Sequence, residues 1–220
     1  MKRAIVIAAA LVFGGLLINA IVDLPSSPVD LRIAVADNMA NSGVSHPVTA
    51  VLLNFRGYDT LLEIAVLLLA LIGLMAAGPM LPPPPNQPAD ALLQKLARIA
   101  TPPVIVVGGY LLWAGAFRPG GAFQAGAVLA AAMVLLHLSG LLSAWNAQLL
   151  PLARRVILVG GFVLFLCISV ALLAAGSLLQ YPPHQAGLLI LLIESGLTLS
   201  LAAILAGLFL FLSRDNGGAP

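Results

Sequence analysis

The sequence predicts an all-α membrane protein of about six transmembrane helices, grouped as two and then four, with short interfacial helices. Of its 220 residues, 61% are hydrophobic and only 8% are charged, whereas about a quarter are charged in soluble proteins. Apolar runs of about 20 residues, the length that crosses a bilayer, recur along the chain. A soluble core of this size would leave too little polar surface to cover it, which excludes a water-soluble globular protein.

The composition also excludes other classes. The net charge is +2 and the basic residues are scattered at predicted helix ends, so we expect no nucleic-acid partner. The single cysteine, Cys167, lies in an apolar run and gives neither a disulfide framework nor a cysteine-based metal site. The glycine-rich stretch 120–126 lacks the lysine of a phosphate-binding loop. We predict no metal and no cofactor.

The first predicted spanning helix covers residues 4–22, directly after Lys2 and Arg3. A signal peptide is the competing interpretation. Its apolar region is normally only about 7–15 residues long, and no clear small-residue cleavage site precedes Asp23. The spanning helix is therefore the better interpretation of this run.

Residues 23–47 are interrupted by prolines and predict a short amphipathic helix at the membrane interface. Its apolar positions are Val29, Ile33 and Ala36, and its polar positions are Asp30, Asp37 and Asn41. The second spanning helix is predicted from about Asp59 to Ala77. Residues 79–89 are rich in proline and predict an extended, semi-rigid linker. This linker divides the chain into modules 1–78 and 90–214.

The second module contains four predicted spans. The third begins in an amphipathic segment at Asp90 and ends near Phe117, and Pro102-Pro103 should kink it or mark where a lateral helix meets the membrane. The turn at Arg118-Pro119-Gly120-Gly121 leads into the fourth span, about 122–144. Ala122 and Gly126, four apart, permit close helix approach. The fifth and sixth spans are predicted at about 152–175 and 186–212.

Three charged residues enter the second span at positions that share a helix face, namely Arg56, Asp59 and Glu63. Charges at a bilayer are costly, so such residues are candidates for an ion path. If both carboxylates are partly desolvated, they titrate as a coupled pair. An equally good alternative is a Thr60–Glu63 capping box, which would satisfy free amides at a helix start.

Glu194 and His137 are the other ionisable candidates within predicted spans. Glu194 lies eight residues into the sixth span, where an ionised carboxylate is costly unless it is paired or hydrated. It is a protonated group that hydrogen-bonds a neighbouring helix, part of a proton or cation relay, or a contact with the polar axis of a partner subunit. His137 is either a proton-transfer group or a cross-helix hydrogen-bonding group, and the hydrogen bond is slightly favoured. His46 and His184 lie in loops and show no ligand spacing.

The stretch from Val48 to Glu63 contains Phe-Arg-Gly-Tyr-Asp-Thr-Leu-Leu-Glu. It resembles a signature near the C-terminal end of the large A subunit of Mrp-type cation/proton antiporters. The same segment forms a separate small subunit in related membrane-bound hydrogenases. Asn54 stands where the family has an aspartate, so no acid is available at that position.

A second resemblance begins at Phe117, in the stretch Phe-Arg-Pro-Gly-Gly-Ala-Phe-Gln-Ala-Gly. It is similar to the Pro-Gly-Gly-Gly-Phe-x-x-Gly turn of the Mrp B subunit family, with Ala122 in place of the third glycine. The resemblance implies that Pro119, Gly120, Gly121 and Gly126 serve the turn and helix packing. The two resemblances together imply an A-subunit tail module fused to a B subunit.

The resemblance implies a non-autonomous subunit of a multisubunit Na⁺/H⁺ antiporter rather than an enzyme, with other membrane subunits, the lipid bilayer, H⁺ and Na⁺ as partners. Such antiporters use lysine and glutamate in mid-membrane, whereas Lys95 is expected at the water side of the third span and no lysine lies deeper in a predicted span. A subunit of a redox-driven relative and a scaffold without an ion path remain as alternatives. With six spans, seven basic residues on one side of the membrane against three on the other predict that both termini are cytoplasmic. The resemblance implies a bacterial or archaeal plasma membrane.

Overall fold

A computed structural model describes residues 2–23, 30–77, 90–142, 151–174, 176 and 178–215. These residues form helices joined by turns, and no strand occurs among them. The all-α prediction is therefore confirmed. The predicted linker, 79–89, lies outside the described residues. Two compact units can be distinguished, residues 1–36 and 37–220.

The first unit contains α1 (Lys2–Val22), which matches the predicted first span. α2 (Leu31–Asn38) begins in this unit and lies within the segment predicted as an amphipathic helix. The carboxylate of Asp30 accepts a hydrogen bond of 2.9 Å from the amide of Arg32, which helps to satisfy the start of α2.

The second unit begins with a compact loop and an irregular helical stretch. A short 3₁₀ turn, Met39–Asn41, leads to α3 (Pro47–Ala50), and a π-helical segment, Val51–Phe55, follows without a break. α4 (Gly57–Ala77) begins after Arg56 and matches the predicted second span. The loop is tied together by Ser42, whose hydroxyl donates to the carbonyl of Met39, and by Asn54, whose amide donates to the carbonyl of Ser42.

α5 (Ala91–Ala114) continues as one helix through Pro102 and Pro103, so the prolines do not separate a lateral helix from a span. Its start is capped by Asp90, whose side chain accepts from the amide of Leu92 at 2.9 Å. α6 (Ala122–Leu138) begins at the predicted residue but ends about six residues earlier than expected. The chain turns there because Gly140, with φ +74°, takes a left-handed conformation that closes helices.

α7 (Pro151–Ala174) and α8 (Pro183–Asp215) complete the unit and match the predicted fifth and sixth spans. α8 is its central helix, since α4, α5, α6 and α7 all pack against it. Half of the apolar stretch of α8 is buried within the chain, against less than a quarter in each of α4, α5 and α7. The core is lined by Phe165 of α7 and by Ile190, Ile193, Leu197 and Leu201 of α8.

Four helices of the described part are long and apolar enough to cross a membrane, at Gly57–Ala76, Ala91–Ala114, Leu152–Ala174 and Pro183–Phe211. The apolar helices Ile7–Val22 and Ala122–Leu138 are shorter, so their membrane crossing stays a prediction. The predicted modules 1–78 and 90–214 differ from the two compact units, because α4 packs against α7 and α8. The modules were predicted from resemblances to two different subunits rather than from packing, and they remain a prediction.

Candidate ion-path site

Glu194 is the buried carboxylate among the described residues of the second unit. It lies in α8, about 16 Å along the helix axis from Pro183, and its side chain is only 3% exposed. Its Oε1 accepts a hydrogen bond of 3.3 Å from the amide of Ala122, the first residue of α6. The carboxylate therefore meets the N-terminus of a neighbouring helix, where free amides and the helix dipole favour negative charge.

The turn between α5 and α6 brings that amide to Glu194. The amide of Gly121 donates to the carbonyl of Leu111 at 2.8 Å, which folds the turn back onto the last turns of α5. Gly121 has φ +103°, a conformation that L residues rarely adopt. A Cβ at this position would also lie 2.5 Å from Oε1 of Glu194. The glycine is required both by the backbone and by the carboxylate beside it.

Close packing of α6 on α8 holds the same region together. A Cβ added to Gly126 would lie 2.8 Å from Cβ of Leu201. Ala122 and Gly126 are both buried. The close approach that their spacing predicts is thus present between α6 and α8.

The loop before α4 forms the opposite wall. The amides of Ser45 and His46 both donate to the carbonyl of Ala116, at 2.9 and 3.1 Å. The hydroxyl of Thr49 donates to the carbonyl of Gly115 at 2.5 Å. These bonds fix the segment around His46 against the end of α5.

A cavity of about 190 Å³ lies between these walls. Its polar side chains are those of His46, Thr49, Thr60, Gln124 and Glu194. The remaining lining comes from Val48 of α3, the π-helical segment, the Pro119–Gly121 turn and apolar residues of α6 and α8. The buried carboxylate therefore faces a partly polar cavity at one end of α6.

The other charged candidates are not brought to this cavity. Arg56 and Asp59 form an ion pair at the start of α4, with side chains 64% and 35% exposed. Such an exposed pair contributes little to stability. Glu63 is exposed and makes no hydrogen bond or ion pair with any other described residue. Asp59 and Glu63 lie in the first two turns of α4, whereas Arg56 lies just before the helix in a non-helical conformation. Glu194 is a separate site.

The capping-box interpretation of Thr60 and Glu63 is wrong. α4 begins at Gly57, so Thr60 lies within its first turn rather than at the N-cap. The Thr60 hydroxyl donates instead to the carbonyl of Leu52, at 2.6 Å, in the π-helical segment. Glu63 therefore has no reciprocal capping role to perform.

His137 lies in the last turn of α6 and is half-buried. It is about 22 Å along the helix axis from Ala122, so α6 separates it from the Glu194 cavity. His46, in contrast, lines the cavity although its sequence position gave no reason to select it. His46 and Glu194 line the same cavity although they are 148 positions apart in the sequence, so no local pattern could indicate that they share a site.

No group of three or more His, Cys, Asp or Glu side chains suited to a metal ion occurs within the described ranges. Cys167 is an exposed free thiol on α7. The chemistry that this cavity offers is hydrogen bonding and proton exchange by His46 and Glu194.

Comparisons with known proteins agree with this architecture. A search of curated proteins gave no match. A chain of the Mrp complex from Dietzia sp. DQ12-45-1b is similar over 100% of this chain, with a TM-score of 0.66 and 22% identity. This chain covers 27% of that longer one. A chain of the membrane-bound sulfane sulfur reductase (MBS), an archaeal respiratory membrane complex, is similar with a TM-score of 0.63 and 22% identity, over 94% of this chain and 97% of that one.

At these identities the two structures establish a shared fold. A family model adds a relationship in sequence. It is described as a domain related to the MnhB subunit of Na⁺/H⁺ antiporters and matches residues 92–213, which include the turn, the cavity wall of α6 and Glu194. Since this match extends over more than half of the sequence, the chain belongs to the MnhB-related family.

Proposed function

We propose that this chain is a non-autonomous membrane subunit of a multisubunit Na⁺/H⁺ antiporter of the Mrp type, and that it contributes to both the ion path and the assembly of the complex. One observation carries the ion-path part. A carboxylate 3% exposed, Glu194, faces a partly polar cavity inside a helical membrane protein. Carboxylates in such positions are costly and generally serve a path for ions or protons.

A subunit role is favoured by how few charges the long helices contain. Among the described residues of the four long apolar helices, the carboxylates are Asp59, Glu63 and Glu194. One lysine occurs among the same described residues. It is Lys95, which lies near the first turn of α5. A complete antiporter would need further ionisable groups in mid-membrane, which other subunits would supply.

The remaining candidates have a place in this proposal. Arg56, Asp59 and Glu63 would form an entrance from the outer side, with Glu63 nearly two turns inside α4. Because Glu63 is exposed within this chain, a neighbouring subunit or water would have to cover it in the membrane. The similarity of the whole chain to part of one longer chain in an Mrp complex supports the fusion of an A-subunit tail with a B module.

The experiment is to purify the complex through a tag on this chain and identify the co-eluting subunits by mass spectrometry. The complex in liposomes should exchange Na⁺ for H⁺, and this chain alone should show no flux. The matched control is the complex with the tag on another subunit. Robust flux from the isolated chain, or no flux from the intact complex, would contradict the proposal.

A second candidate is the membrane part of a redox-driven complex. It is favoured by the MBS likeness, in which nearly the whole of both chains is aligned. The same mass spectrometry decides between the two, because a redox complex would co-elute with subunits that carry electron-transfer centres. For either function we propose a plasma-membrane location with both termini in the cytoplasm.

A further inference from the structure

We propose that His46 and Glu194 form a proton-transfer pair across the cavity, in which His46 takes up protons from the aqueous side and delivers them to Glu194. This inference rests on the proposed function, since it gives the ion path a specific point of proton entry. It assigns a role to His46, which lies outside the stretches that the sequence resemblances identify.

The hydrogen bonds around His46 determine which ring nitrogen is available. The Thr49 hydroxyl has one proton, which it donates to the carbonyl of Gly115 at 2.5 Å. Towards His46 it can only accept, and Nδ1 of His46 lies 3.4 Å from that oxygen. Nδ1 is therefore the protonated nitrogen of the neutral ring, and Nε2 is the bare nitrogen that can take up a proton.

The carboxylate of Glu194 has one oxygen that can receive a proton. Oε1 of Glu194 accepts from the amide of Ala122, while Oε2 accepts from none of the described residues. One oxygen thus holds the side chain in place, and the other is left to receive a proton.

The space between the two groups suits transfer through water. One water molecule needs only about 15 Å³ of such space, so a cavity of about 190 Å³ has room for several. Thr49, Thr60 and Gln124 supply further polar groups along its lining. A proton can therefore pass between His46 and Glu194 without direct contact of the two side chains.

No other titratable side chain among the described residues lines this cavity. The other charged or titratable side chains described on the elements packed around it do not line it: Arg56, Tyr58, Asp59, Glu63, Lys95, Arg98, Tyr110, Arg118, His137, Arg154, Arg155, Cys167, Tyr181 and His184. The pair is thus chemically isolated, and a change at His46 affects one identifiable acceptor.

The transfer balances in protons and charge. Neutral His46 binds a proton at Nε2 and becomes the imidazolium. It releases that proton through water to Oε2 of Glu194, which turns the carboxylate into a neutral carboxylic acid and restores the neutral imidazole. The hydrogen bond from Nδ1–H to Thr49 is kept in the neutral and the protonated ring, so the imidazole ring does not need to flip in each cycle.

The test uses the intact complex in liposomes with His46→Ala, with His184→Ala as the matched control. His184 is an exposed histidine at the start of α8 and does not line the cavity. Loss of a positioned proton carrier should slow exchange on the order of tenfold or more. Added imidazole should restore much of the rate in His46→Ala, because the enlarged cavity can admit it, and should leave His184→Ala unchanged.

Each outcome decides the question. Wild-type exchange in His46→Ala overturns the inference. Slow exchange that imidazole does not restore also overturns it, since the role of His46 would then be only structural, through its hydrogen bond to Thr49. If His46→Ala fails to assemble, His46→Gln takes its place. Glutamine can still donate a hydrogen bond to Thr49 but cannot carry a proton. Under the proposal His46→Gln therefore exchanges as slowly as expected for loss of the proton carrier, and wild-type exchange by this variant overturns it. Absence of exchange in the wild-type complex would instead be a failure of the proposed function.

Discussion

The amide of Ala122 donates its hydrogen bond to Oε1 of Glu194, so that a side chain of α8 caps the start of α6. The first amides of a helix have no partner within the helix. Gly121, at the N-cap position of α6, has no side chain to satisfy them. Glu194 therefore has a structural role, which any role in the ion path must accommodate.

Substitutions at Glu194 should separate these two roles. Glu194→Gln keeps an amide oxygen that can accept from Ala122, so the complex should assemble with normal thermal stability but lose exchange. Glu194→Ala removes the cap and should lower the unfolding free energy by about 1–2 kcal/mol. The measurements are the melting temperature of the purified complex and Na⁺/H⁺ exchange in liposomes.

The control for this pair is Ser195→Ala. Ser195 is adjacent in α8, but its hydroxyl donates to the carbonyl of Leu191 within the same helix. Both stability and exchange should be close to wild type in this variant. Wild-type exchange by Glu194→Gln would show that Glu194 is a helix cap alone.

The spans could be predicted from the sequence because membrane helices are long, apolar and bounded by polar or turn-forming residues. α4 and α8 begin and end within about three residues of prediction. The turn at Gly120-Gly121 was also predictable, since glycine pairs mark such turns. These features depend on residues close together in sequence.

The site was less predictable because it depends on packing between distant segments. Glu194 stood out as a buried carboxylate, but nothing in the sequence indicated that α6 would supply its hydrogen-bond donor. The capping role predicted for Thr60 was wrong for a related reason. The π-helical segment before α4 offers it the carbonyl of Leu52, and a short sequence pattern cannot show that alternative partner.

Gly121→Ala should damage the site without touching a charged residue. A non-glycine residue at φ +103° is strained, at a cost of about 1–3 kcal/mol. The added methyl group would also displace Oε1 of Glu194. We expect a lower melting temperature of the complex together with reduced exchange.

Gly109→Ala is the matched control, because a Cβ there would meet nothing within 4 Å. It lies inside α5, where alanine favours the helix more than glycine does. Its stability should be equal to wild type or slightly higher. Equal melting temperatures for Gly121→Ala and Gly109→Ala would contradict the described geometry of the turn.

Tyr181 provides a test at alkaline pH. It lies just before α8, its side chain is 4% exposed, and its hydroxyl makes no hydrogen bond to any described residue. Burial raises the pKa of Tyr181 above its ordinary value. A group with a raised pKa in the folded state contributes stability below its unfolded value, near 10, and loses it as the pH rises through the folded value.

The melting temperature of the complex should therefore fall as the pH rises above about 10. Tyr181→Phe removes the unpartnered hydroxyl, so it should leave neutral-pH stability equal or higher and reduce the alkaline loss. Tyr58→Phe is the control, since Tyr58 is 52% exposed. An alkaline loss that is the same in Tyr181→Phe and wild type would count against this account.

Labelling from each side of the membrane tests the orientation. With Cys167→Ser as background, Asp90→Cys should react with an impermeant thiol reagent only from the cytoplasmic side. Arg118→Cys, beyond the other end of α5, should react only from outside. The reason is the bias of basic residues towards the cytoplasm. Labelling of position 90 from outside would reverse the assigned topology.

Glu63→Gln tests the entrance at α4 most directly. The finding that α4 begins at Gly57 removes the capping explanation for this carboxylate. Glu63 is exposed and makes no polar contact with the described residues, so neutralising it should leave the stability of the chain within about 0.5 kcal/mol of wild type. If Glu63 carries protons or Na⁺, exchange by the assembled complex should be abolished or strongly slowed.

The measurement is exchange in vesicles across the pH range, with subunit content checked by blotting. Asp59→Asn is the matched comparison, because Asp59 lies one turn further out and is already paired with Arg56. Asp59→Asn should reduce the exchange rate less than Glu63→Gln does, because Glu63, the inner carboxylate of the entrance, is still present. Wild-type exchange by Glu63→Gln at every pH, with normal subunit content, would remove Glu63 from the ion path and leave the cavity lined by His46 and Glu194 as the candidate site in the described part of the chain.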